Sequence, residues 1–100
     1  MALLPFIQRM EQRDPQFFAS MKNLQELALG EGMLDMKTKL LISLALDACL
    51  GSKHGVASVS QKLRQLGARE EEIAETLRLA YFAAGNRLLD TFTAVDESRD

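Results

Sequence analysis

His54 is the only histidine in the chain, and it stands in a short polar run, Ser52-Lys53-His54, between two apolar segments. An imidazole there can take or give a proton near neutral pH. Lys53 beside it can hold a substrate carboxylate, and Ser52 offers a hydroxyl. Just upstream lie Asp47 and the only cysteine, Cys49, and Arg87 follows near the end of the chain. These residues suit two chemistries. One is proton transfer on a small carboxylic acid, with His54 and Asp47 as catalytic candidates and Ser52, Lys53 and Arg87 holding the substrate. The other is thiol chemistry at Cys49, which needs a thiolate that can attack a peroxide or a disulfide.

Each residue also has a plainer structural account. A lone histidine with no orienting carboxylate often does no more than hydrogen-bond to a neighbour. Cys49 closes an apolar helix and reads as an ordinary buried thiol. Ser52 reads as a helix N-cap. Asp47 breaks an otherwise apolar helix, with Ser43 one turn earlier on the same face. A buried carboxylate without a partner is costly, so that edge faces solvent or a pocket, or Asp47 pairs with Lys53 or Arg87. Adjacent Glu70, Glu71 and Glu72 point to different faces of a helix and suit a helix start better than a metal centre. One cysteine and one histidine fall short of a zinc ligand set, so neither a metal nor a cofactor is expected.

The elements that must position these groups are helical. Pro and Gly divide the chain into intervals too long for strands, and the apolar residues recur at helical spacing. Leu3 to Gln12 predicts a first helix with Pro5 in its first turn. Asp14-Pro15 caps a second that runs to Gly30. Asp35 opens a third, apolar on nearly every face through Leu50, and Gly51 stops it. Ser52 opens a fourth with the stripe Val56, Val59, Leu63 and Leu66, ended by Gly67. Glu70 begins a fifth whose buried face is Ile73, Leu77, Ala80 and Ala84, and Gly85-Asn86 interrupts it. Leu88, Leu89, Phe92 and Val95 support a last helix before the polar tail Asp96 to Asp100. The expected fold is an all-α compact bundle of five or six helices, oligomeric, because an apolar central helix in about 100 residues lacks neighbours enough to cover it.

With 47% hydrophobic and 26% charged residues, the chain reads as one globular domain over residues 1–100. A formal charge of −2 and the lack of a basic run argue against nucleic acid. The apolar run Ala2 to Ile7 is shorter than a signal-peptide core. Leu40 to Leu50, broken by Ser43 and Asp47, is well short of the roughly 20 residues of a membrane span. A reducing, cytoplasmic setting without membrane attachment is expected.

Three segments carry a family resemblance: Leu34-Asp35-Met36-Lys37-Thr38-Lys39 before an apolar helix, Gly67-Ala68-Arg69-Glu70-Glu71-Glu72-Ile73, and Ala83-Ala84-Gly85-Asn86. Over Leu34 to Leu89 the chain resembles the carboxymuconolactone decarboxylase and alkylhydroperoxidase D-like family. The resemblance implies a helical bundle assembled as a trimer or hexamer, with any pocket beside the Ser52 to Val59 helix near a subunit boundary. Redox members resemble Glu-x11-Cys-x2-Cys-x3-His-x7-Gly-Ala. With Gly67-Ala68 as the end of that pattern and no gap, the glutamate falls on Leu40, the cysteines on Ser52 and Gly55, and the histidine on Val59. Every redox position is replaced. A shifted register puts His54 on the histidine and Asp47 and Leu50 on the cysteines, but it needs five extra residues before Gly67 and rotates the apolar stripe. The decarboxylase branch also lacks the cysteines yet keeps the histidine that Val59 replaces. The resemblance thus implies a member without the dithiol site. It leaves open a thiol-independent lyase or isomerase acting on a small carboxylic acid, a residual antioxidant peroxidase or disulfide reductase using Cys49, and a noncatalytic oligomeric binding protein.

Overall fold

A computed structural model describes residues 3–99, so Ala2 of the apolar run and Asp100 of the tail lie outside the described residues. Every regular element among the described residues is helical: α1 (Pro5–Gln8), α2 (Met10–Arg13), α3 (Pro15–Leu29), α4 (Met36–Cys49), α5 (Lys53–Gln65), α6 (Glu70–Phe92) and α7 (Ala94–Glu97). The chain divides into two compact units, the first ending at Met36 and the second starting at Lys37.

In the first unit, Asp14 Oδ1 accepts the Phe17 amide at 3.1 Å and Pro15 takes the first helical position, so α3 starts where the sequence places it. The Leu4 amide donates to Gln25 Oε1 at 3.2 Å, tying the entry of α1 to α3, and Ile7 and Gln25 are buried. The predicted Leu3–Gln12 helix is instead two short turns divided at Arg9. It begins after Leu4, whose backbone is extended (φ −64°, ψ 140°) because the ring of the following proline disfavours the helical region.

In the second unit the buried apolar side chains are Leu40 and Leu44 of α4, Leu63 of α5, and Ile73 and Ala80 of α6. Leu44 and Leu63 are 0% exposed. Two glycine stops set the turns. The Gly67 amide donates to the Arg64 carbonyl (3.0 Å) and the Ala68 amide to the Leu63 carbonyl (2.9 Å), with Gly67 at φ +85°. This pattern satisfies the last carbonyls of α5 and needs a left-handed residue at its centre.

As expected for an apolar helix with few neighbours, α4 is not covered on every side within the chain: Ile42 and Leu46 are exposed, as is Leu50 just beyond its end. One expectation fails. Gly85 and Asn86 do not interrupt the fifth helix, because α6 continues through both to Phe92. A glycine inside a helix costs only about 1 kcal/mol, which the packing of a long helix readily offsets. The separate last helix predicted from Leu88 to Val95 is therefore mostly the end of α6, and Asp96 and Glu97 of the polar tail form α7 with Ala94 and Val95. The predicted buried face of α6 keeps Ile73 and Ala80, whereas Leu77 is half-buried and Ala84 exposed.

Candidate functional site

The α4–α5 corner brings part of the candidate set together. Gly51 adopts φ +76°, its amide donates to the Ala48 carbonyl (3.2 Å), and the Ser52 amide donates to the Asp47 carbonyl (2.9 Å). That closes α4 with the same Schellman pattern that closes α5. Ser52 then opens the next helix: its hydroxyl accepts the Gly55 amide at 3.1 Å. One residue therefore ends α4 and caps α5, which fixes Asp47 and the first turn of α5 against each other.

The Asp47 carboxylate lies directly over Gly55. A Cβ built on Gly55 would stand 2.6 Å from Asp47 Oδ2 and 2.8 Å from Ser52 Oγ. A negative group beside the first turn of a helix is favoured by the positive pole of the helix amides. Neither cation proposed for Asp47 reaches it: among the described residues, no ion pair joins Asp47 to Lys53 or Arg87. Of the two alternatives read from sequence, Asp47 stands on a partly open edge and is half-buried.

Lys53 and His54 occupy the first two positions of α5 and are exposed. Among the described residues neither makes a side-chain hydrogen bond or ion pair, so the imidazole and the ammonium both point to solvent unpaired.

Cys49 is exposed rather than buried, a correction to the sequence reading. The last turn of α4 faces α6 there, and the Cys49 thiol donates to the Ala80 carbonyl at 3.5 Å. The thiol lines a groove of about 220 Å³ whose walls are Ala48, Leu77, Ala80, Tyr81 and Ala84. Its bond is to α6, whereas Asp47 and Ser52 meet over α5. Arg87 is exposed on α6 two turns beyond Ala80, roughly 10 Å along the helix axis, and outside the groove.

Sequence reasoning missed two participants. Gly55 follows the capping Ser52 by three residues, a spacing that marks it as the recipient of the cap, but nothing in the chain indicates that Asp47 folds over it. Tyr81, the only tyrosine, falls on the Cys49 groove only because α6 runs straight through this region.

Known proteins place this architecture. The carboxymuconolactone decarboxylase family model matches residues 15–97. An uncharacterized protein of Methanocaldococcus jannaschii is 35% identical over 71 residues, which are 71% of this chain and 66% of that protein, just under two thirds of its length. A crystal structure of a protein from Methanobacterium thermoautotrophicum superposes with a TM-score of 0.76 at 26% identity, over 84% of this chain and 94% of that one.

Proposed function

This chain belongs to the carboxymuconolactone decarboxylase family, and from that membership we propose that it is a thiol-independent lyase or isomerase acting on a small carboxylic acid at the first turn of α5. In this reading Lys53 binds the substrate carboxylate and His54 moves a proton at the neighbouring carbon. Asp47 and Ser52 hold the turn that carries both. Arg87, distant along α6, has no part in it. The observation behind the proposal is the corner itself: the Ser52 amide donates to the Asp47 carbonyl, the Ser52 hydroxyl accepts the Gly55 amide and the Asp47 carboxylate lies against Gly55, while the adjoining Lys53 and His54 are left exposed and unpaired. The residues here contain a single cysteine, so the dithiol chemistry of redox relatives has no second thiol within them.

The test is titration with a panel of small mono- and dicarboxylates, following the His54 imidazole by NMR, for wild type, Lys53→Ala and His54→Gln. Saturable binding that weakens in Lys53→Ala, with turnover lost in His54→Gln, supports the reading. No saturable binding across the panel, or turnover that survives His54→Gln, removes it.

A second reading rests on the open Cys49 thiol. In a one-cysteine peroxidase the thiolate attacks the peroxide O–O bond, leaving a sulfenic acid and one water or alcohol, and an external thiol reduces the sulfenic acid back. An exposed thiol in a groove beside Tyr81 favours it over the buried thiol read from sequence.

A further inference from the structure

The polar edge of α4 is not used up by the fold. Asp47 and Ser43 lie one turn apart on the same face of that helix, and both are half-buried. Among the described residues, neither side chain makes a hydrogen bond or an ion pair. The start of α5 does not need the carboxylate as a cap, because the Gly55 amide already donates to the Ser52 hydroxyl. A carboxylate held partly out of water without a protein partner is costly to keep, and it retains its full capacity to accept a hydrogen bond from a ligand.

The position of that carboxylate is set by the corner. It takes the place that a side chain at Gly55 would fill: a Cβ there would stand 2.6 Å from Asp47 Oδ2 and 2.7 Å from the carboxyl carbon. Gly55 directly follows Lys53 and His54, whose side chains are exposed and unpaired, and consecutive Cα atoms are only about 3.8 Å apart. A small acid drawn to Lys53 and His54 therefore meets a fixed negative group beside them.

The two signs make different demands on a ligand. Lys53 attracts a carboxylate, whereas Asp47 accepts hydrogen bonds and cannot donate them. A hydroxyl or ammonium group on the ligand satisfies Asp47, a bare hydrocarbon leaves it unpaired, and a second carboxylate is repelled. Resting on the carboxylate reading above, we propose that Asp47 determines specificity at this site. It selects a small acid that carries a hydroxyl or ammonium donor close to its carboxylate, against plain monocarboxylates and against dicarboxylates.

The experiment compares four probes of one size, 3-hydroxybutyrate, 3-aminobutyrate, butyrate and succinate, by titration followed at the His54 imidazole by NMR. The proteins are wild type, Asp47→Ala and the isosteric Asp47→Asn, with circular dichroism to confirm helix content. In the wild type one of the two donor-bearing acids should bind about tenfold tighter than butyrate, and succinate should bind weakest. The tighter of the two identifies the donor. In Asp47→Ala the preference over butyrate should fall to about one, and in both variants succinate should gain on butyrate. A merely structural role for Asp47 would weaken all four probes by a common factor, so ratios that stay at their wild-type values in both variants overturn the proposal while leaving the roles of Lys53 and His54 intact. A wild type that binds butyrate or succinate as tightly as the donor-bearing acids overturns it as well. No saturable shift with any probe removes the carboxylate reading itself, and the specificity with it.

Discussion

The ammonium of Lys37 lies 2.6 Å from Glu72 Oε2, and the other oxygen of the same carboxylate accepts the Arg69 amide at 2.9 Å. One side chain therefore caps α6 and ties its start to the first turn of α4. Lys37 and Glu72 belong to two of the three segments through which the sequence resembles its family, so those segments are in contact as well as similar.

This arrangement sets a pH dependence. The Arg69 amide, and after it Lys37, holds the Glu72 carboxyl below its ordinary value of 4.5. Arg64, which grips Glu70 at 2.6 and 3.2 Å, lowers the Glu70 carboxyl in the same way. A carboxyl lowered in the folded state contributes stability above its unfolded value and loses it as pH falls through the folded one. The melting temperature should therefore fall as pH drops below 4.5, and the fall should be shallower in Glu72→Gln. An unchanged pH profile in that variant would contradict the role given to the pair.

Gly55→Ala places a methyl group against the Asp47 carboxylate and should destabilise the fold by about 1–3 kcal/mol. Asp47→Ala added to Gly55→Ala removes the carboxylate clash and should recover part of the loss, the contact with the capping Ser52 hydroxyl remaining. Urea unfolding of both single variants and the double variant measures the coupling. Additive losses would mean that Gly55 is required for another reason.

The same contact bears on the missing thiols. In the ungapped register, Ser52 and Gly55 take the positions of the redox cysteines, and the space beside Gly55 is filled by Asp47. Ser52→Cys with Gly55→Cys should therefore fail to give a fast peroxide-reducing pair until Asp47→Gly is added. Peroxide consumption under a thiol reductant checks this. Activity in the double variant with Asp47 intact would show that the carboxylate moves aside easily.

Cys49→Ser separates the two catalytic readings. Under the carboxylate reading the variant keeps wild-type binding of small carboxylates and consumes no less peroxide than wild type. Loss of a measurable peroxide activity in Cys49→Ser, with sulfenic acid trapped in the wild type, would favour the one-cysteine mechanism instead.

Leu44 and Leu63 should be the costliest truncations, at about 2–5 kcal/mol each for Leu→Ala, because both are fully buried in the second unit. Leu46→Ala and Leu50→Ala, at exposed positions, should cost far less in the isolated chain. Chemical denaturation of the four variants provides the comparison.

Local chemistry by itself determined the helical class, the caps at Asp14 and Ser52, the stops at Gly51 and Gly67 and the acidic start of α6. Each depends on residues within one turn of one another, and proline rings, capping oxygens and left-handed glycines act over that range whatever packs around them. Local signals misled at Gly85-Asn86, where the packing of a long helix outweighs a weak breaker. Tertiary structure alone decided that Asp47 lies over Gly55 rather than beside Lys53 or Arg87, that Cys49 opens onto a groove with Tyr81, and that Lys37 joins Glu72. Those relationships link positions 8 to 35 residues apart, and the distance between such residues is set by how helices cross, a property that no single turn of sequence encodes.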